Sequence, residues 1–200
     1  MSDEKLRAAE RRWKESGAAE DEAAFLLERV RVGDLTQERL ELAAYCGHEG
    51  AALAAPGIGE SDPAQWAEGL VGFGTPVCVR VLLALAVERE VEMTDLGHRY
   101  LQLAERYVVE PTERNAMACE SAWGDGAGEG TPPDWIACSA LIVSTYHTQA
   151  PDPTDVAEGC RDGSRQLGWP RAKEVSGSEL GQWLLGYGDP VAERLSLRTS

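Results

Sequence analysis

Between Leu35 and Ala55 the apolar positions fall into helical blocks. Leu40, Leu42, Ala43, Ala44 and Cys46 sit at the spacings of one buried face, Gly47 follows, and a second apolar block begins after His48. This pattern predicts a helix, a glycine stop and a second helix, which together make a helical hairpin. The rhythm recurs upstream. Leu6, Ala9 and Trp13 repeat at three- and four-residue intervals among charged residues, predicting a surface helix over 3–16 that docks through one narrow stripe and stops at Gly17. A second helix is expected over 21–32, with Ala23, Ala24, Leu26, Leu27 and Val30 inward and Gly33 ending it. Such short connections place neighbouring helices antiparallel.

Downstream, proline marks the helix starts. Asp62-Pro63, Thr75-Pro76, Asp152-Pro153 and Asp189-Pro190 each set a capping side chain before a residue whose missing N–H would have had no helical partner. They predict helices over 63–71, 76–90, 153–167 and 190–197. Glu110-Pro111 and Thr131-Pro132 lead into 112–122 and 133–147, and helices over 94–107 and 177–186 complete the set. The segment from Val77 to Val87 is apolar on nearly every side, as a central helix covered by several neighbours requires. Only Ile142 to Tyr146 would suit a strand, and its flanks read better as one buried helix. The fold class is therefore all-α, either an irregular multi-helix bundle or a short stack of antiparallel helical hairpins. A glycine-rich acidic loop over 124–132 separates helical halves at 1–123 and 133–200 of one continuous domain.

Charge narrows the function classes. Nineteen Lys and Arg face 34 Asp and Glu across 200 residues, a formal charge of −15. Residues 1–34 hold 7 basic and 9 acidic groups, and residues 35–200 hold 12 and 25, so the acidity belongs to the main body. Nucleic-acid binding draws its affinity from neutralised phosphates and is not expected of such a surface, nor is binding to anionic lipid. The longest apolar stretch, Val77 to Val87, contains Arg80 and is too short to span a bilayer. The amino terminus is charged from Asp3 onward and carries no secretory pattern, so a cytosolic protein is expected. Cysteines at 46, 78, 119, 138 and 160 form no CxxC pair and read as free, with Cys46, Cys78 and Cys138 in buried helical stretches.

Candidate chemistry is sparse. Cys46-Gly-His48 is the one close pair of potential metal ligands, and His48 reads better as a residue that starts the next helix. Ser144 and His147 share a helix face by spacing, but a nucleophilic serine needs a strained turn and an oxyanion hole; Ser144 is expected to bond to a carbonyl one turn back. The glycine-rich loop lacks the lysine and preceding strand of a phosphate cradle. Glu88, Glu90, Glu92 and Asp95 form the densest acidic run, without the ligand alternation of a calcium loop, and are the first place to seek a basic partner. Trp66 and Trp183 read as core, whereas Trp123 and Trp135 flank the loop as candidates for a partner surface. No cofactor is expected.

Two stretches carry a resemblance. Arg11-Arg12-Trp13, Asp21 to Arg29 and Glu38 to His48 resemble the opening of uncharacterised bacterial helical proteins, and the remainder, with Gly-Asp-Pro-Val-Ala-Glu at 188–193, is similar in style to degenerate armadillo/HEAT-type packing. The resemblance implies stacked helical hairpins and a protein-binding surface, with no catalytic residues. The leading expectation is a helical interaction module, a scaffold or adaptor, that binds a basic protein partner. A toxin-neutralising immunity protein and an enzyme with a site in an inter-helix groove are the alternatives.

Overall fold

The computed structural model describes residues 2–58, 62–126 and 130–199. Among them are twelve α-helices, a short 3-10 turn at Glu90–Glu92 and no strand. The helices are α1 (Ser2–Ser16), α2 (Ala19–Val32), α3 (Gln37–Cys46), α4 (Glu49–Ala54), α5 (Pro63–Val71), α6 (Thr75–Val87), α7 (Asp95–Val109), α8 (Glu113–Gly126), α9 (Pro132–Ser144), α10 (Pro153–Leu167), α11 (Trp169–Leu185) and α12 (Pro190–Thr199). None is long and apolar enough to cross a membrane. The all-α expectation holds, as a multi-helix bundle. The chain groups into two compact units, Met1–Glu60 with Gly177–Gly188 and Ser61–Ser176 with Asp189–Ser200. Of the expected loop at 124–132, residues 127–129 lie outside the described residues. Its first three residues belong to α8, whose face of Ala116, Cys119 and Ala122 is buried.

In the first unit the hairpin forms as its spacing dictates. Thr36 accepts the Arg39 N–H at 3.3 Å to cap α3, and Leu40, Ala43 and Cys46 have no exposed surface. Gly47 adopts φ 101°, a left-handed conformation that disfavours any side chain, and this lets the His48 N–H reach the Ala43 carbonyl at 3.0 Å. The Nδ1 of His48 then accepts the Ala51 N–H at 3.3 Å and caps α4. α1 docks through Trp13, whose ring stacks between Phe25 and Tyr187 at centroid distances of 5.2 and 5.0 Å. On α2 the inward set differs from expectation: Phe25 is buried and Leu27 is half exposed. The larger aromatic takes the core side because it completes the Trp13 stack.

The second unit is built around α6. Every residue from Val77 to Ala86 is buried, Arg80 included, and α6 packs against α5, α7, α9 and α10. The buried Arg80 guanidinium forks onto both carboxylate oxygens of Asp189, at 2.8 and 2.7 Å. Asp189 also accepts the Val191 and Ala192 N–H groups and so caps α12, joining charge neutralisation to helix initiation. α12 is held again where Arg194 and Arg198 meet the fully buried Glu105 of α7 at 3.0 and 3.2 Å. Burial pushes the Glu105 carboxyl upward, and the two arginines pull it back.

Asp134 ties α7 to α9. It accepts the backbone N–H and hydroxyl of Thr131 at the start of α9, and the same two groups of Thr94 at the start of α7. Burial would raise its carboxyl, but the four donors outweigh that and hold it below the usual aspartate range. A Cβ on Gly97 would lie 1.9 Å from Asp134 Oδ1, so this crossing admits only glycine.

Several boundaries depart from the sequence reading. α11 starts at Trp169, eight residues before its expected start, because Pro170 occupies the first turn where a proline is tolerated. α9 ends at Ser144 instead of 147, and α6 at Val87 instead of 90. Thr75 does not cap α6: Gly74 holds that position, and the Thr75 hydroxyl instead donates to the Tyr146 carbonyl at 3.1 Å. Trp66 is fully buried against Trp169, as a core residue should be, whereas Trp183 is only partly buried.

Candidate functional site at helix α8

The acidic run at the α6–α7 junction is matched by arginines of the same chain. Glu88 pairs with Arg171 at 2.9 Å, Glu90 with Arg198 at 2.5 Å and Glu92 with Arg89 at 2.5 Å. Asp95 is exposed at the first position of α7, where a carboxylate complements the positive end of the helix. Three of the four charges are thus spent within the fold, and the Glu90 pair is connected through Arg198 to buried Glu105.

The histidines do not converge with a nucleophile. His48 faces Glu22 at 3.7 Å, and burial, opposed by the nearby carboxylates of Glu22 and Glu49, lowers its proton affinity. His98 Nδ1 lies 2.9 Å from the Thr94 carbonyl in its own helix. Because α9 stops at Ser144, His147 lies beyond the helix and shares no helical face with that serine. Ser144 donates to the Ala140 carbonyl at 2.8 Å, the backbone bond expected of it. Burial pushes the thiols of Cys78 and Cys119 up to about 12 and about 11, so both are neutral at physiological pH. No group of three or more His, Cys, Asp or Glu able to hold a metal occurs among the described residues.

A concave site does occur on the second unit, in a place the sequence did not announce. Glu113, Ala116, Met117 and Glu120 of α8, with Thr145, His147 and Thr148 beyond the end of α9, line a cavity of about 340 Å³. The geometry of α8 explains the first four residues. Positions 113, 117 and 120 recur every three to four residues and so form one stripe, and Ala116 lies beside it at the edge of the buried face. The opposite wall is set by the end of α9. The Thr145 hydroxyl donates to the Ile142 carbonyl at 2.7 Å, and the His147 ring stands edge-on to Tyr107, its Nδ1 3.4 Å from the phenol oxygen. Among the described residues no ion pair engages Glu113 or Glu120.

The two helices that frame this site also expose large apolar side chains. Met117 is 61% exposed and Trp123 43% on α8, and Trp135 is 49% exposed near the start of α9. Both tryptophans proposed as partner contacts therefore stand half out of the core. Single exposed apolar residues are ordinary, but tryptophan and methionine are enriched where proteins bind one another. Comparison of the chain with protein-family models, with curated proteins and with solved structures finds no match.

Proposed function

We propose that this protein is a helical protein-interaction module of the cytosol that engages a basic partner through the α8 side of its second unit. The observation that supports the reading most is the exposure of Met117, Trp123 and Trp135 on two adjoining helices, together with two glutamates of α8, Glu113 and Glu120, that no ion pair engages among the described residues. Tryptophan supplies much buried area for few frozen torsions, and binding energy at interfaces concentrates on such anchors. The formal charge of −15 would steer a basic partner toward the chain and repel acidic competitors. The likeness to bacterial armadillo/HEAT-type proteins belongs to this proposal too. Its support is the hairpin packing of α1 on α2, α3 on α4 and α7 on α8, while the packing of α6 on α9, α5 on α10 and α7 on α12 is of the bundle kind.

The test is affinity capture from cytosol at low salt and again at about 0.5 M salt, where the screening length falls to roughly 4 Å. The wild-type chain is compared with a Trp123→Ala/Trp135→Ala double variant. The reading expects a stoichiometric partner that is lost at high salt and reduced by the double variant. Recovery of no such partner, or equal capture by wild type and variant, overturns it.

A further inference from the structure

We infer that the α8 cavity is a socket for an arginine side chain presented by the partner protein, an assignment that rests on the interaction reading and names the chemistry at its centre. Glu113 and Glu120 lie seven positions apart, about 10 Å along a helix axis. Their flexible side chains bracket the ground over Ala116 and Met117 from both ends. A cation seated between them meets a carboxylate on either side, and neither carboxylate has to abandon an ion pair of its own among the described residues.

The remaining walls suit a guanidinium on a hydrocarbon stem. Ala116 and the half-exposed Met117 offer apolar, adaptable contact for the methylene groups. Thr145 spends its hydroxyl proton on the Ile142 carbonyl, so its oxygen lone pairs remain to accept from a donor in the cavity. The imidazole of His147, fixed against Tyr107, contributes a flat side to which a planar group can be apposed. Arginine fits this set better than lysine because its five N–H donors lie in one rigid plane, carboxylates accept them in pairs, and the group sheds water at less cost than an ammonium. The volume of about 340 Å³ falls within the range of small-ligand sites and admits one such side chain with associated water.

The junction run offers a built-in contrast. Glu88, Glu90 and Glu92 are more closely spaced, but a guanidinium arriving there must displace Arg171, Arg198 or Arg89. The cavity asks for no such exchange.

The socket is tested without the partner by following backbone amide NMR signals while the intact chain is titrated with N-acetyl-arginine amide at low salt. N-acetyl-citrulline amide, the uncharged isostere, is the control probe. The expected result is saturable shifts centred on residues 113–120 and 145–148 with arginine, at least fivefold smaller with citrulline, and at least fivefold weaker binding in a Glu113→Gln/Glu120→Gln variant. Both glutamates are exposed, and an unchanged wild-type spectrum outside the site confirms that the variant is folded. Equal response to citrulline, unchanged binding in the double variant, or larger shifts at residues 88–95 than at the cavity would overturn the assignment. The two proposals fail separately. If captured partner is lost from the tryptophan variant but held fully by Glu113→Gln/Glu120→Gln, the socket is wrong while the module stands; if arginine binds the cavity but no partner is recovered, the module reading fails.

Discussion

The junction between α6 and α7 and the face of α8 are both acidic, yet their charges are in different states. At the junction three of four carboxylates each hold an arginine, two of them from residues 83 and 108 positions away. On α8 two glutamates line a cavity with no ion pair among the described residues. Density of charge in a sequence is therefore a poor guide to charge available for binding, because the fold can bring distant counter-ions to the dense run. It is the sparser pair that remains to be satisfied.

The largest expected effect lies behind the junction. Glu105→Ala removes the buried acceptor shared by Arg194 and Arg198, and should cost about 3 kcal/mol of stability in urea unfolding, since two cations already drawn into the fold lose their shared buried carboxylate. A loss below about 1 kcal/mol would mean that the junction is not held by charge. Next is Asp134→Asn, which keeps shape but halves the accepting capacity for four donors and should cost about 2 kcal/mol.

The same substitution has a pH signature. The folded pKa of Asp134 is depressed, so the stability it confers is fully present above the unfolded aspartate value near about 3.9 and is lost as pH falls through the lower folded value. The stability difference between wild type and Asp134→Asn should therefore shrink as the solution is acidified through that window. A difference that stays constant would contradict the hydrogen-bonded account of Asp134.

Smaller again is the effect of neutralising exposed members of the junction. Glu88→Gln and Glu92→Gln should each change stability by no more than about 0.5–1 kcal/mol, because solvated pairs are screened and entropically costly to hold. Glu113→Gln/Glu120→Gln, which breaks no pair among the described residues, should leave urea stability unchanged within about 0.5 kcal/mol.

What was legible in the sequence was local. Thr36, Gly47 and His48 act on residues within five positions of themselves, so the α3–α4 hairpin could be read from spacing alone. The start of α11 carries no such signal, because Trp169-Pro170 has no Asp or Thr before the proline; Gly168 precedes it at φ 81°. Neither glycine nor proline marks the end of α9 at Ser144, so spacing alone carries the helix on to His147. The stripe of Glu113, Met117 and Glu120 is visible in the sequence, but the facing wall at 145–148 is supplied by tertiary packing. The junction arginines are likewise set by long-range folding, which no spacing rule reports.

The most direct test sets the two acidic regions against each other in one capture experiment. Partner retained at low salt is compared for wild type, Glu88→Gln/Glu92→Gln and Glu113→Gln/Glu120→Gln. If the available charge lies on α8, the first variant should hold partner as wild type does and the second should hold at least fivefold less. Loss with the junction variant and retention with the α8 variant would contradict the account.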